Sequence, residues 1–307
     1  MSGEIPVAIT GGTGFVGQAV LDVLNEAQIP VEALARKIPR DDHLWVDWVQ
    51  SNLDDLIALE RLVTGSRAVI HIAGLTSSPN SDDFVQANVT GTANVISAMK
   101  RSGAKRLVFV SSLAARKPEL SAYGASKDKA EQLVEASGLD WTIVRPPAVY
   151  GPRDKDMFEL FRSAKFGFVP LPPSGATSII HVNDLAQLLV ALIPSSPQSR
   201  KRIFEPDDGR EGGWSHKELG KAIGAGMGRS VMALNLPAAV LQGAAVIDGL
   251  LRRKRAKLTP DRVSYMAHPN WVSRSDRAVS DSLWQPMIDG EAGLRLTAEW
   301  YKSQGWL

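Results

Sequence analysis

Tyr123 and Lys127 stand four residues apart in Ser121-Ala122-Tyr123-Gly124-Ala125-Ser126-Lys127, a segment that reads as the opening of a helix. That spacing puts both side chains on one helical face. A free phenol has a pKa of about 10 and is a poor base at neutral pH. A neighbouring ammonium, together with the positive charge of an oxidised nicotinamide, favours the phenolate. Such a tyrosine can take a proton from an alcohol, or give one to a ketone, while hydride moves to or from the cofactor. A serine hydroxyl can hold the same substrate oxygen. Ser112, at the end of the apolar run Arg106-Leu107-Val108-Phe109-Val110-Ser111, is the candidate, with Ser111 as the alternative. Many helices contain a Y-x-x-x-K by chance, so this pair draws its weight from what precedes it.

What precedes it is Val7 to Gly17, VAITGGTGFVG. A short apolar run breaks into Gly11, Gly14 and Gly17, and a helical stripe of Val16, Val20, Leu21 and Leu24 follows at once. Strand, glycine turn and helix in that order suit a pyrophosphate. The turn lets the backbone approach, and the helix start offers free N–H groups and partial positive charge. A second strand, Pro30 to Arg36, ends in Ala35, Arg36 and Lys37 where an NAD-preferring unit would place Asp or Glu. Two cations there attract a 2′-phosphate, so NADP is expected over NAD. Further apolar runs over 44–50, 68–74 and 106–112 alternate with helical segments, the pattern of a parallel sheet with right-handed crossovers. In such a sheet the ligand crevice lies outside the carboxyl ends of the strands. This gathers the glycine turn, Arg36, Ala73, Gly74, Ser111 and Ser112.

Six segments in order resemble the extended short-chain dehydrogenase/reductase superfamily, over most of the chain. Thr10 to Gly17 resembles T-G-x-x-G-x-x-G, His71-Ile72-Ala73-Gly74 resembles H-x-A-A/G, and Asn88-Val89-Thr90-Gly91-Thr92 resembles N-x-x-G-T. Ser112, Tyr123 and Lys127 match the catalytic triad. Arg145 to Pro152 resembles R-P-x-x-V-Y-G-P, and Ile180 to Ala186 resembles I-H-V-x-D-L-A. The resemblance implies a Rossmann-type doubly wound parallel sheet with a smaller C-terminal substrate lobe. It implies cofactor contacts at Gly11, Thr13, Gly14, Phe15, Val16, Gly17, Arg36, Asn52, Leu53, Ala73, Gly74, Asn88, Ser111, Tyr123, Lys127 and Pro146. The expected division is a dinucleotide-binding core over 1–150 and a substrate lobe over 151–307, with about 176–206 returning to the core. The resemblance also makes His71 and His181 structural.

Two departures narrow the chemistry. The third-strand Asp-Leu of the superfamily is here Asn52-Leu53, although an amide can still accept a hydrogen bond. The residues after Ser112, where sugar dehydratases resembling this chain carry acids, are Leu113 and Ala114. The expected function is therefore hydride transfer between nicotinamide and a carbonyl or hydroxyl substrate. A nucleotide-sugar 4-epimerase with tightly held NAD, using Arg153, Arg210 or Arg252–Arg255 on a diphosphate, is one alternative. A non-catalytic NAD(P)-bound scaffold subunit is the other.

Composition sets outer bounds. The chain has 307 residues, 44% of them hydrophobic, with 35 basic and 33 acidic residues for a net charge of +2. That balance calls for no nucleic-acid partner. The chain has no cysteine, which removes disulfides, thiolate nucleophiles and thiolate metal sites and is compatible with a reducing cytoplasm. No metal is expected. The N-terminal residues lack a signal-peptide pattern, and no apolar run reaches the roughly 18 residues of a membrane span. A small-molecule substrate is expected, with monomer and homodimer both open.

In the second half, 155–166 reads as a helix with Phe158, Leu160 and Phe161 apolar, 167–175 as a loop, and Asn183 or Asp184 as a helix cap. Ser81 reads as the cap of an earlier helix. Ser215 and Glu218 form a capping box, and Thr259-Pro260 opens a helix. A helix from Pro237 to about Arg252 ends in Arg252-Arg253-Lys254-Arg255. That cluster reads as a solvated helix end, with peripheral membrane contact as the sharper alternative.

Overall fold

The computed structural model describes residues 4–40, 43–252 and 258–307. The chain begins with β1 (Val7–Thr10), α1 (Phe15–Glu26), β2 (Val31–Ala35), β3 (Val46–Gln50), α2 (Leu56–Val63) and β4 (Ala68–His71). Then come α3 (Ser81–Phe84), a π-helical stretch Val85–Thr90 and α4 (Gly91–Ser102), which run on continuously. β5 (Arg106–Val110), α5 (Ala122–Glu135), β6 (Asp140–Val144), β7 (Ala148–Tyr150), α6 (Phe158–Ala164) and β8 (Phe168–Leu171) follow. Next are β9 (Ala176–Thr177), β10 (Ile179–His181), α7 (Val182–Ala191), β11 (Arg202–Phe204), β12 (Trp214–Ser215), α8 (His216–Gly226) and β13 (Met232–Asn235). The chain closes with α9 (Ala238–Arg252), α10 (Pro260–Met266), β14 (Asn270–Trp271) and α11 (Gly290–Ser303).

Seven strands form one parallel sheet in the order β11-β6-β5-β4-β1-β2-β3. β1, β4 and β5 are buried along their whole length, as strands covered on both faces must be. Val69, Leu107, Phe109 and Ile143 pack with Leu59, Leu62 and Met99 from the covering helices. The order reverses between β1 and β4, which is where an open α/β sheet leaves its ligand crevice. This sheet belongs to a compact unit of residues 1–145, 185–204 and 280–284.

Residues 146–184, 205–279 and 285–307 form a second unit. Its core holds Tyr150, Phe161, Trp214, Ile223, Leu294 and Tyr301. Its strands pair in small sets: β7 with β10, β8 with β13, and β9 between β12 and β14.

Local expectations meet several corrections here. Residues 168–171 of the expected loop are strand β8, because β13 supplies a parallel partner more than sixty residues later. The helix expected over 155–166 starts at Phe158, after Asp154 has engaged the Asp156 and Met157 amides. Asn80, not Ser81, caps α3. Asp184 does not cap α7; its carboxylate accepts from the Met287 and Ile288 amides at 3.2 and 3.0 Å. The capping box at Ser215 and Glu218 is present, as is the Thr259 cap with Pro260 behind it. Arg253, Lys254 and Arg255 lie outside the described residues.

Candidate active site

The parallel register sets the strand ends level. Thr10 pairs with both Leu34 and His71, His71 with Phe109, and Val110 with Val144. Whatever follows β1, β2, β4 and β5 therefore emerges along one edge of the sheet. After β1 comes the glycine turn. Gly11 has φ +82°, and a Cβ there would lie 2.5 Å from the Ala73 nitrogen. A Cβ on Gly17 would collide with the Gly11 carbonyl oxygen. Both positions exclude larger residues, so the turn hugs the strand-four loop and α1 packs down on the turn. Gly14 is the N-cap of α1 and no side chain caps it. The first turn of α1 therefore presents open N–H groups and the positive end of its dipole. Thr13 and Gly14 are exposed, while Phe15 and Val16 are half-buried.

His71 is wired into the scaffold. Thr92 Oγ1 donates to the Asn88 carbonyl at 2.6 Å, so it can only accept from His71 Nε2, 3.0 Å away. That leaves His71 Nδ1 to accept from the Thr10 hydroxyl at 2.5 Å. Complete burial, and then the Lys127 charge, push its pKa down to about 3. A neutral imidazole with both nitrogens engaged is a strut, not a base. Asn88, on the π-helical stretch, ties two other pieces together. Its amide accepts from Leu75 N–H at 2.7 Å and donates to Ser126 Oγ at 2.8 Å, and Ser126 in turn donates to the Tyr123 carbonyl.

Ser121 Oγ caps α5 by accepting from Gly124 N–H at 2.9 Å, which fixes where the helix starts. Tyr123 is buried in the first turn of α5, with its ring 6.0 Å from that of Phe84. Lys127 follows on the same face. Its Nζ donates to the Val110 carbonyl at 2.8 Å and lies 4.6 Å from the Phe109 ring centroid. Burial lowers its pKa to about 8, against the opposing pull of Glu131. Ser112 caps the 3-10 turn Leu113–Arg116, which packs on the start of α5, and its Oγ accepts from Ala114 N–H at 3.2 Å. Ser112 keeps its hydroxyl proton to give and is half-buried. Ser111 points elsewhere: its buried hydroxyl donates to Glu131 and its N–H to the Val144 carbonyl at 2.7 Å, leaving its carbonyl oxygen as the part able to meet a ligand.

Arg36 and Lys37 are exposed immediately after β2. Asn52 is exposed after β3, and its side-chain oxygen already accepts from Asp54 N–H at 2.7 Å, so that acceptor is shared within its own turn. Leu53 is half-buried and Gly74 exposed. Pro146 is buried at the first position of the second unit. In that unit His181, pushed by burial to a pKa of about 4, stands edge-on to Tyr150 with ring centroids 5.4 Å apart. Arg210 lies 4.0 Å from the Trp214 ring centroid and pairs with Glu218 at 3.3 Å. The apolar side of α6 is core: Phe158 and Phe161 meet Tyr301 at 5.0 and 5.3 Å.

A dinucleotide fits the residues on this edge. The close backbone packing at Gly11 and Gly17 holds the turn in place, and the exposed Thr13 and Gly14 at the uncapped α1 N-terminus leave N–H groups and partial positive charge for a diphosphate. Sequence reasoning missed Glu131. This buried carboxylate receives the Ser111 hydroxyl and forms a forked pair with Arg145, at 3.0 and 2.6 Å. The signal was available, since Glu131 stands four residues beyond Lys127 on the same face.

A family model described as the NAD dependent epimerase/dehydratase family matches residues 7–204. Ceramide reductase of Caulobacter vibrioides is 32% identical over 98% of this chain and 96% of its own length. The 2-alkyl-3-oxoalkanoate reductase of Stenotrophomonas maltophilia is 30% identical over 94% and 97%. Among solved structures, UDP-glucose 4-epimerase of Thermus thermophilus in complex with NAD superposes with a TM-score of 0.72. It covers 97% of this chain and 99% of that one at 20% identity, a likeness of fold.

Proposed function

The chain belongs to the NAD dependent epimerase/dehydratase family, and on that premise we propose that it is an NADPH-preferring reductase of a keto group on a long-chain, lipid-like substrate. The observation that carries the reading is Lys127. Its buried ammonium is held on the Val110 carbonyl one helical turn beyond Tyr123, where, beside the pull of Glu131, it supports an anionic oxygen forming on that face.

The hydride for the carbonyl carbon would come from NADPH when it is bound. Tyr123 Oη gives its proton to the carbonyl oxygen, which becomes the product hydroxyl. The Lys127 ammonium stabilises the phenolate that remains. Ser112 Oγ donates to the same oxygen and orients it. The α1 N-terminus and the Gly11–Gly17 turn bind the diphosphate, and Arg36 with Lys37 bind the 2′-phosphate. Water elimination lacks its acid, because positions 113 to 115 are buried Leu, Ala and Ala. The substrate class rests on the two full-length relatives, whose names specify a lipid and an alkyl-substituted oxoacid. It draws nothing from α6, whose apolar face is core.

The test is NADPH consumption against long-chain 3-oxo acids, long-chain N-acyl amino ketones and nucleotide sugars. Turnover is expected with long-chain ketones. Tyr123→Phe should lower it by roughly 10² to 10⁴ while cofactor affinity holds. Interconversion of nucleotide sugars without net cofactor use, by protein that retains NAD through purification, would replace this reading with the epimerase. Inert ketones and inert sugars together would leave the scaffold subunit.

A further inference from the structure

Helix α9 is built inside out. Its polar residues Gln242 and Asp248 are half-buried and turned to the chain: Gln242 Nε2 donates to the Pro260 carbonyl at 3.5 Å, and Asp248 accepts from Leu258 N–H at 3.0 Å. Val240, Val246, Ile247, Leu250 and Leu251 point the other way, at 53%, 54%, 58%, 74% and 79% exposure. With about 100° between successive residues these five cover an arc of roughly 140°. The remaining positions on that arc are alanine and glycine, so no charge interrupts it. A surface helix ordinarily presents the reverse arrangement, and an apolar face of this extent marks something that covers it.

Charge distinguishes the candidates for that cover. α9 ends at Arg252, and in the sequence Arg253, Lys254, Arg255 and Lys257 come next, outside the described residues. The same unit exposes a second apolar cluster where β13 begins, and β13 leads through Leu236 and Pro237 into α9. There Phe168 pairs with Met232, and Met232 N–H donates to the Gly167 carbonyl at 2.8 Å. Exposed Lys165 and Arg229 flank it, with Arg229 donating to the Lys165 carbonyl at 3.2 Å. A two-fold contact between copies would cover the apolar residues but draws nothing from the cations that neighbour them in the sequence. An anionic surface gains from that charge.

We propose that α9 lies in the headgroup layer of an anionic lipid membrane with its Val240-to-Leu251 face turned into the acyl boundary. The helix rests on the membrane without crossing it: its 15 residues extend about 22 Å, and among the described residues no helix is long and apolar enough to span. This holds whichever reaction the first unit performs.

The full chain is sedimented with vesicles of phosphatidylcholine and phosphatidylglycerol, or of phosphatidylcholine alone, beside the double variant Leu250→Glu/Leu251→Glu. Both side chains already face solvent, and melting temperature with NADPH binding confirms that the variant is intact. Wild-type protein should sediment with the anionic vesicles. Its partition coefficient should fall about tenfold or more in the variant, and likewise on neutral vesicles. A second measurement uses the absence of cysteine: Leu250→Cys labelled with a polarity-sensitive fluorophore should shift to the blue on anionic vesicles alone. Wild-type protein left in the supernatant, a variant that binds equally, or an unshifted label overturns the proposal. So does a dimer in light scattering that the double variant splits, which would assign the face to a second copy.

Discussion

Lys127 holds a positive charge where charge is costly, and its pKa near 8 has two consequences. The Tyr123 phenolate needs the ammonium, so kcat/KM for ketone reduction should fall as pH rises through about 8. A profile that stays flat from pH 7 through pH 9 would remove Lys127 from the proposed role. The folded pKa lies below the ordinary 10.5, so between those values the unfolded chain holds a proton that the folded chain has lost. The cost of burying this ammonium is thus full below about pH 8 and relieved above it. His71 works in the acid range. Its pKa near 3 against an ordinary 6.5 means that its stabilising contacts, complete above 6.5, are lost as pH falls towards 3. His71→Gln lacks that titration, so the gap in melting temperature between parent and variant should be widest near pH 7.5 and narrow by pH 5. A gap that stays constant would mean that His71 takes up its proton in the fold as readily as in the unfolded chain. The Y-x-x-x-K pair and the serine pair were legible as residue types. Which serine keeps a free proton was not, because that depends on Glu131 arriving from α5.

At the scale of elements, the glycine turn and α1 act as one piece. Gly17→Ala should raise the NADPH dissociation constant at least tenfold and lower the melting temperature, since its Cβ and the Gly11 carbonyl need the same space. Titration by cofactor fluorescence reads the first effect, and an unchanged affinity would show that the turn can shift without loss. Ser215→Ala in the capping box should cost about 1 kcal/mol by chemical denaturation, without touching cofactor affinity. Elements with strong local signals stand where their sequences put them: glycine turn, buried strands, capping box, Pro260 at a helix start. In the sequence β8 reads as a loop because Pro170, Pro172 and Pro173 crowd it. Its pairing with β13 is non-local, and a two-stranded ribbon tolerates Pro170 because an edge leaves some N–H positions unused. Asp184 looked like a cap for the same reason, since its true partners, the Met287 and Ile288 amides, are a hundred residues away.

At the scale of the whole molecule, cofactor choice should appear as stability. A ligand bound only by the folded chain stabilises it by about 2.7 kcal/mol at a hundred times its dissociation constant. Equal concentrations of NADPH and NADH should therefore raise the melting temperature unequally, NADPH more, and Arg36→Asp should reverse the order. Equal shifts in the parent protein would remove the basis for NADP preference at Arg36.

By itself the sequence determined the strand order of chemistry: a glycine turn, a basic tip after β2, a serine pair after β5, and a Tyr–Lys step on the next helix. Those features are local, written in spacing that one turn or one strand can read. Tertiary structure decided three things. Glu131 takes up Ser111 and leaves Ser112 its proton. His71 is locked neutral between Thr10 and Thr92. The apolar side of α6 is core, while that of α9 faces outward. Periodicity reports that a helix has an apolar face, but only packing against distant segments determines which way that face turns.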